Sequence, residues 1–159
     1  IGFKINNLDK QTQTIFKLNL LDIAEDEINV PPAKFETELT LPSADFQKIV
    51  RDMTNIGETI EIKSCGSSLI LGCEGDFANQ ETILSETQNG LSFSVKSKPE
   101  NPIQGFFSLK YLLLFTKCTN LCNSIQMFLE NDYPLIISYS VGSLGEIKFC
   151  LAPKKILQS

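Results

Sequence analysis

The stretch FETELTLPSADFQKIVRDMTNIG, residues 35–57, contains one strand pattern followed at once by one helix pattern. Apolar and polar residues alternate strictly over residues 35–41, which is typical of a half-buried strand. After Pro42, apolar residues recur at the spacing of a helix with one buried face. This stripe consists of Phe46, Ile49, Val50, Met53 and Ile56. Ser43 is predicted to cap the helix, because its hydroxyl can accept a hydrogen bond from a free amide, and Gly57 is predicted to end it.

The residues before this stretch form an acidic segment, residues 20–32, that ends in a proline pair. Proline has no amide donor and a fixed φ, so the pair interrupts any regular element. We expect an exposed, extended connector that leads into a globular unit. Ile28 and Val30 remain apolar beside Pro31, and two interpretations are open. They belong to a plain loop that tucks them underneath, or they form a surface on which a partner docks.

Two more strand patterns precede the connector, at residues 1–5 and 14–20. A link rich in turn-forming residues separates them, which predicts a pair of neighbouring strands. Because the alternation is already present in the first five residues, we expect the chain to begin inside a fold.

Downstream of Gly57, short strand patterns follow one another at the intervals typical of antiparallel sheet. They cover residues 59–63, 69–73, 81–87, 91–96, 103–107, 124–129, 135–139 and 146–151. The Asn89-Gly90 pair predicts a hairpin between the third and fourth of these strands. Ser108 is predicted to cap a second helix, residues 109–117, with one apolar face. The order of strand, helix and antiparallel strands thus occurs twice, which predicts an α+β fold with two helices side by side on one sheet face.

Composition excludes several kinds of function. The chain has 159 residues, a net charge of −5 and no histidine, so Ser-His-Asp and Cys-His catalysis are excluded. No apolar run is long enough to span a bilayer, and no membrane partner is predicted. The five cysteines are odd in number and lack metal-ligand spacing, which favours free thiols in a reducing compartment and predicts no metal or other cofactor. A thiol enzyme that uses Cys118 or Cys122 remains as a disfavoured alternative, since Lys117 is the only basic residue nearby.

Basic residues recur on both predicted helices. Lys48 and Arg51 lie off the apolar stripe of the first helix, and Lys110 and Lys117 share a face of the second. Each cation taken alone is typical of a solvated helix surface. Four cations on two equivalent helices, in a chain of net negative charge, favour a segregated basic face instead.

Four segments resemble, in order and at the expected separations, the sliding-clamp family of the proliferating cell nuclear antigen type. They contain Leu41-Pro42-Ser43, Phe46, Ile49-Val50-Arg51-Asp52 and Ile56-Gly57; Leu109-Lys110-Tyr111-Leu112 and Phe115-Thr116-Lys117; Pro134-Leu135-Ile136-Ile137 and Tyr139; and Leu144-Gly145, Lys148-Phe149 and Leu151-Ala152-Pro153-Lys154. The resemblance implies the α+β DNA-clamp fold, with antiparallel sheets outside, two helices on the inner face and an internal pseudo-repeat. It also implies a division of the chain: residues 1–20 are the last two strands of an N-terminal clamp domain. Residues 21–33 are the interdomain connector, 34–153 the C-terminal clamp domain and 154–159 a tail.

The function that the resemblance implies is that of a DNA sliding clamp subunit, a processivity factor without enzymatic activity of its own. Such a subunit forms a trimeric ring around double-stranded DNA, in the nucleus or at a viral replication site. It tethers DNA polymerase, flap endonuclease, DNA ligase and the clamp loader through peptide motifs that carry an aromatic pair. The alternative is a clamp-fold paralogue in a checkpoint ring or another hetero-oligomeric ring.

The resemblance also implies roles for individual residues. The positions that face DNA in the family are matched by Lys48, Arg51, Lys110 and Lys117. The partner-peptide groove is matched by Ile28, Val30, Pro31, Pro134, Ile136, Cys150, Ala152 and Pro153, and Cys150 stands where relatives usually carry an aromatic residue. The subunit interface is matched by Thr14, Phe16 and Leu18 on one edge strand and by Glu81, Ile83 and Ser85 on another.

Overall fold

The structure, a computed structural model, describes residues 2–17, 19 and 34–155. Contacts divide the chain into two compact units, one that ends at Ala33 and one that begins at Lys34. In the first unit, β1 (Gly2–Asn7) and β2 (Thr12–Lys17) form an antiparallel two-stranded sheet. These are the two strands predicted before the connector. The connector itself, residues 20–32, lies outside the described residues.

The second unit has two antiparallel sheets and two helices. Its elements are β3 (Thr37–Pro42), α1 (Ser43–Met53), β4 (Thr59–Cys65), β5 (Ser68–Glu74), β6 (Asn79–Ser85), β7 (Ser92–Val95), β8 (Ile103–Ser108), α2 (Leu109–Phe115), β9 (Ser124–Leu129), β10 (Leu135–Val141) and β11 (Gly145–Leu151). One sheet has five strands in the order β11-β10-β9-β3-β7, and the other has four in the order β6-β5-β4-β8. Neither helix in the described part of the chain has the length and apolar character of a membrane span.

Helix α1 buries the apolar stripe that its sequence predicts. Phe46, Val50 and Met53 are fully buried, and the amide of Gly57 donates to the carbonyl of Met53 at 3.1 Å where the helix ends. The prediction that Ser43 caps the helix is wrong. Ser43 is the first helical residue and is buried, and its hydroxyl donates to the carbonyl of Cys122 at 2.6 Å. A tertiary hydrogen bond therefore uses the hydroxyl that a cap would need.

Ser108 occupies the cap position of α2, but its side chain makes no capping hydrogen bond. The helix is also shorter than predicted, because the chain tightens into a 3₁₀ turn, Thr116–Leu121, after Phe115. The two helices contact each other, and the Gln47 side-chain amide donates to the carbonyl of Thr116 at 2.9 Å. The predicted pair of neighbouring helices is confirmed.

The predicted hairpin at Asn89-Gly90 is wrong, although a turn does form there. The amide of Thr87 donates to the carbonyl of Leu91 at 3.0 Å. The chain then leaves the four-stranded sheet, and β7 pairs with β3 of the five-stranded sheet. Leu91 is only 4% exposed, so burial of its side chain in the core favours this crossover over a local hairpin.

One hydrophobic core lies between the two sheets and the helices, and it takes residues from both sheets. Three buried hydroxyl groups form a hydrogen-bonded chain within this core. The Thr37 hydroxyl donates to that of Ser64 at 3.3 Å, and the Ser64 and Ser97 hydroxyls are 3.2 Å apart. These hydrogen bonds join β3 of one sheet to β4 of the other, and they satisfy polar groups that would otherwise destabilise the core.

Candidate nucleic-acid and partner interfaces

Four exposed cations lie on the helix pair of the second unit. Lys48 and Arg51 lie on α1, Lys110 lies on α2, and Lys117 lies in the 3₁₀ turn that follows α2. They were predicted to lie on two helices. Lys117 does not lie on a helix of the α type, because α2 ends two residues earlier, at Phe115. It nevertheless follows Thr116, whose carbonyl accepts a hydrogen bond from Gln47 of α1. The contact between the helices places the four cations on one paired element.

The charges of these four cations are free to act on a ligand. Within residues 34–155 the ion pairs are Lys96 with Glu86 and Lys148 with Glu146, and neither involves the helix pair. An exposed ammonium or guanidinium group without an acidic partner attracts phosphate from solution, and salt screens the attraction. Asp45 and Asp52 are also exposed on α1, so the helix pair with its 3₁₀ turn has four cations and two acids. The remaining charge is positive, which is the sign that attracts a polyanion.

Apolar residues are also exposed on the helix pair, which sequence reasoning did not predict. Tyr111 is 50% exposed and Leu114 is 47% exposed, both on α2, and Leu121 at the end of the 3₁₀ turn is 48% exposed. The helical spacing of apolar residues in 109–117 predicts only which face of the helix packs on the core. Whether these side chains are exposed also depends on whether any other element of the chain packs over them, and the helix pattern does not show this.

A second candidate surface lies at the edge strand β11. Ile136 and Cys150 are direct cross-strand partners on β10 and β11, with Ile136 half-buried and Cys150 exposed. Ala152 is exposed and Pro153 is half-buried where the chain leaves β11. The structure thus brings together these four residues that were predicted for the groove, and Pro134, also predicted for it, is exposed immediately before β10. The connector residues predicted for the same groove, Ile28, Val30 and Pro31, lie outside the described residues.

The segment after β11 is fixed by two hydrogen bonds to the four-stranded sheet. The amide of Lys154 donates to the carbonyl of Phe106 at 2.7 Å, and its ammonium donates to the Thr59 hydroxyl at 2.7 Å. Since β11 belongs to the five-stranded sheet, this segment passes from one sheet to the other. These two bonds hold Lys154 in place and so restrict the backbone of Ala152 and Pro153, which lie between Lys154 and β11.

Two edge strands expose the residues predicted for a subunit interface. Strand β6 is the edge of the four-stranded sheet, and its Glu81, Ile83 and Ser85 are exposed, Ile83 by 58%. On β2, Thr14 and Phe16 are exposed, Phe16 by 52%. Leu18, the third residue predicted on that strand, lies outside the described residues. Open edges with large apolar side chains invite pairing with another strand.

The five cysteines all lie among the described residues and are free thiols. Burial raises the pKa of the Cys73 thiol, which keeps it protonated in the core. Cys118 and Cys122 pack partly buried against the core, and the Cys122 thiol donates to the carbonyl of Ser124 at 3.0 Å. In the described part of the chain no group of three His, Cys, Asp or Glu residues could hold a metal ion. These contacts are those of structural thiols.

An aromatic cluster lies under the 3₁₀ turn. Phe115 stacks on Phe149 with ring centroids 4.4 Å apart, and Tyr139 meets Phe149 edge-on at 5.9 Å. Tyr139 is fully buried, and its hydroxyl has no hydrogen-bond partner among the described residues. Burial raises the pKa of Tyr139 to about 12. The cluster ties the helix pair to β10 and β11, so it supports both candidate surfaces.

Comparisons with known proteins find a family model and several relatives for this chain. Residues 29–154 match the family model described as "Proliferating cell nuclear antigen, C-terminal domain". The chain is 34% identical over 157 residues to "Probable DNA polymerase sliding clamp 1" of Paramecium bursaria Chlorella virus 1, which covers 96% of the chain and 59% of that relative.

Two further relatives are similar at the same level. Identity is 30% over 141 residues to "Proliferating cell nuclear antigen" of Chaetomium thermophilum, covering 87% of the chain and 54% of the relative. It is 32% over 147 residues to "Probable DNA polymerase sliding clamp" of Acanthamoeba polyphaga mimivirus, covering 92% of the chain and 31% of the relative. The chain therefore spans between about a third and three fifths of the length of these relatives.

Proposed function

Because the chain belongs to the proliferating cell nuclear antigen family, whose C-terminal domain it contains, we propose that it is part of a DNA sliding clamp subunit. The predicted DNA-clamp fold is confirmed by the family match together with the antiparallel sheets and two helices. In the proposed function the ring encircles double-stranded DNA and holds replication and repair enzymes on it. The observation that carries this proposal is the set of exposed cations on one helix pair of a chain whose net charge is −5.

In this proposal Lys48, Arg51, Lys110 and Lys117 face the DNA inside the ring. Cations on exposed side chains attract the phosphate backbone without reading base edges, so the contact is independent of sequence. Lysine ammonium groups act as point charges and do not require the fixed two-point geometry of an arginine–phosphate pair. Weak, screened attraction of this kind allows the ring to stay on DNA and still move along it.

The surface at β10 and β11 is proposed to bind peptides that carry an aromatic pair. DNA polymerase, flap endonuclease, DNA ligase and the clamp loader are the partner classes that such peptides would connect to the ring. Ile136, Ala152 and Pro153 supply apolar contacts, and Ile28, Val30 and Pro31 of the connector would supply the opposite side. The short side chain of Cys150 leaves the middle of this surface lower than an aromatic residue would.

Ring assembly is proposed to join β2 of one subunit to β6 of the next, which would turn two open edges into one continuous sheet. The described part of the first unit carries Lys4, Lys10 and Lys17 against a single acid, Asp9. Strand β6 carries one acid, Glu81, and no cation, so the two edges are opposite in charge. Three such joints would close a homotrimer.

The proposed domains are the last two strands of an N-terminal clamp domain (1–20), the connector (21–33), a C-terminal clamp domain (34–153) and a tail (154–159). The chain is proposed to act by binding alone, without catalysis, in the nucleus or at a viral replication site. Relatives named as sliding clamps or as proliferating cell nuclear antigen favour this function over a checkpoint-ring paralogue.

Primer extension on circular DNA tests the proposed function. The full protein with Lys48→Glu and Lys110→Glu is expected to lose most clamp-dependent synthesis, because each reversal replaces attraction for phosphate by repulsion. The matched control is Lys63→Glu with Lys98→Glu, which makes the same charge change away from the helix pair and away from β10 and β11. Full synthesis by the first variant, with its ring intact by mass photometry, would contradict the DNA-facing assignment.

A further inference from the structure

A row of apolar side chains crosses three strands of the five-stranded sheet on the side away from the core. Cross-strand pairing places Phe128 of β9 beside Ile136 of β10, and Ile136 beside Cys150 of β11. Successive residues of a strand point to opposite faces, and the neighbours Met127 and Ile137 are fully buried. The three residues of the row therefore face outward, with Phe128 and Ile136 half-buried and Cys150 exposed.

A second aromatic ring supports Phe128 at its end of the row. Phe35, which precedes β3, packs on Phe128 with ring centroids 5.5 Å apart and ring planes tilted by 52°. The amide of Glu36 donates to the Glu130 carboxylate at 2.9 Å, so the chain next to Phe35 is tied to the end of β9. Tilted aromatic pairs stabilise each other beyond the area that they bury. The Phe128 ring is therefore held in place without a partner.

The apolar row is continuous with the surface proposed above for partner peptides. On one side it is bordered by Pro134 and Ala152, which precede β10 and follow β11. On the other side the next row of the same face is polar, and its members in strand order are Thr40, Gln126, Ser138 and Lys148. An apolar side chain of a partner is thus confined to the row that contains Phe128.

We propose that Phe128 supplies the aromatic contact of the partner-peptide groove, in place of a ring at position 150. Directly paired residues have Cβ atoms about 5 Å apart, so a peptide ring that lies on Ile136 also contacts Phe128. The small side chain of Cys150 leaves the opposite side of Ile136 open for that ring to enter. This inference rests on the proposed function, because it assigns a specificity-determining residue to the same groove.

The position of the ring determines which peptides the groove selects. Positions 150 and 128 are two strands apart, so the aromatic wall lies about 10 Å further from the sheet edge than a ring at position 150 would. A peptide side chain that reaches Phe128 is selected for its aromatic face, since an aromatic pair adds to the free energy of simple burial. Cyclohexylalanine, which keeps the size of phenylalanine but has no aromatic face, is expected to lose this part of the affinity.

Fluorescence anisotropy of labelled peptides on the full protein tests the assignment. One peptide carries phenylalanine at both positions of the aromatic pair, and the other carries cyclohexylalanine at both. Phe128→Leu is expected to weaken binding of the phenylalanine peptide about fivefold and to leave binding of the cyclohexylalanine peptide nearly unchanged. Gln126→Leu, on the same face of the same strand but in the polar row, is expected to bind both peptides as the wild type does.

The cyclohexylalanine peptide also shows whether Phe128→Leu is folded, because a misfolded variant would lose both peptides. Equal losses for the two peptides would reduce Phe128 to a structural role and overturn the proposal. Wild-type affinity of Phe128→Leu for the phenylalanine peptide would overturn it as well, while the groove and the proposed function would stand. No binding of either peptide to the wild type would refute the groove and this inference together.

A double variant tests whether the two positions can exchange roles. Phe128→Leu with Cys150→Tyr moves the ring from β9 to the edge strand β11. It is expected to bind the phenylalanine peptide about fivefold more tightly than Phe128→Leu alone. Affinity as low as that of Phe128→Leu would mean that the peptide ring does not lie on Ile136 between the two positions, and the proposal would fall.

Discussion

Ile136 and Cys150 lie directly opposite each other at the exposed edge of the five-stranded sheet. Because the cysteine side chain is short, it covers little of the isoleucine beside it, and the apolar surface is shallow at this point. The size of the side chain at position 150 therefore decides how closely an aromatic ring of a peptide can contact Ile136. Residue 148, two positions earlier on β11, points to the same face.

Cys150→Tyr is expected to strengthen binding of an aromatic-pair peptide by about fivefold, since an aromatic contact contributes about 1 kcal/mol. Isothermal titration calorimetry of the full protein measures the change. Lys148→Tyr adds the same ring two residues away and is expected to leave affinity unchanged. Equal affinities in Cys150→Tyr and the unmodified protein would place the peptide elsewhere.

Ser43→Ala is expected to reduce the free energy of unfolding by about 1–2 kcal/mol, because it removes the hydrogen bond to the carbonyl of Cys122 in a buried setting. Ser108→Ala is the matched control. Its hydroxyl makes no capping bond, so the expected change is below about 0.5 kcal/mol. Urea unfolding of both variants measures the difference. A larger loss in Ser108→Ala would mean that capping, and not the tertiary bond, dominates.

Gly75→Ala is expected to cost about 3 kcal/mol or more in unfolding free energy. A Cβ at this position would lie 1.8 Å from the carbonyl oxygen of Ile56, which is backbone and cannot move aside. Gly72→Ala on the preceding strand has only contacts of 3.6 Å and longer, and it is expected to be nearly neutral. Thermal unfolding of the two variants tests this, and similar melting temperatures would show that the turn after β5 adjusts freely.

Stability is expected to fall above about pH 10 through the ionisation of Tyr139. Burial raises the folded-state pKa of this group to about 12 from 10.0, so between these values the unfolded chain has lost the proton that the folded chain still binds. The free energy of unfolding therefore decreases as pH rises through this window, by at most roughly 1.4 kcal/mol per pH unit. Below about pH 10 the tyrosine is protonated in both the folded and the unfolded state, so Tyr139 no longer makes the free energy of unfolding depend on pH.

Tyr139→Phe tests this assignment. The variant is expected to remove the alkaline slope relative to the wild type, and at neutral pH to be nearly neutral, because the Tyr139 hydroxyl has no partner among the described residues. Chemical unfolding at several values between pH 8 and pH 11.5 gives both numbers. An unchanged slope in Tyr139→Phe would assign the alkaline loss to other groups.

Ile83→Asp is expected to prevent ring closure in the full protein, because a charge would be buried at the proposed joint between edge strands. Ile70→Asp on the central strand β5 changes the outer face of the same sheet and is expected to leave assembly intact. Mass photometry distinguishes trimer from monomer at nanomolar concentration. A trimer of Ile83→Asp as stable as the wild type would exclude β6 from the joint.

Periodicity predicts the elements of this chain well where burial follows one face of one element. Strand β9 has the predicted bounds, and Phe46, Val50 and Met53 occupy the predicted buried stripe. The failures concern contacts between elements distant in sequence. Asn89-Gly90 favours a turn, but the burial of Leu91 and the pairing of β7 with β3 decide which sheet the chain enters next.

The candidate surfaces show the same limit. The cations of the helix pair follow from residue type and spacing, because charged residues off an apolar stripe are exposed. The pairing of Ile136 with Cys150 cannot be predicted in this way, since the two residues come from different strands and their alignment depends on register. Nor can the bond from Lys154 to Phe106, which joins positions 48 residues apart.

The short crossover between β6 and β7 has a mechanical consequence. If β6 is a joint of the ring, any force that opens the ring pulls on this strand and passes along the chain to the other sheet. The Thr87–Leu91 turn receives that tension first, and the Lys96–Glu86 ion pair lies across it. Beyond it, the buried side chain of Leu91 resists withdrawal from the core. The proposed joint and the core would thus carry the same force in series, and the burial of Leu91 would hold the start of β7 in place when a joint opens.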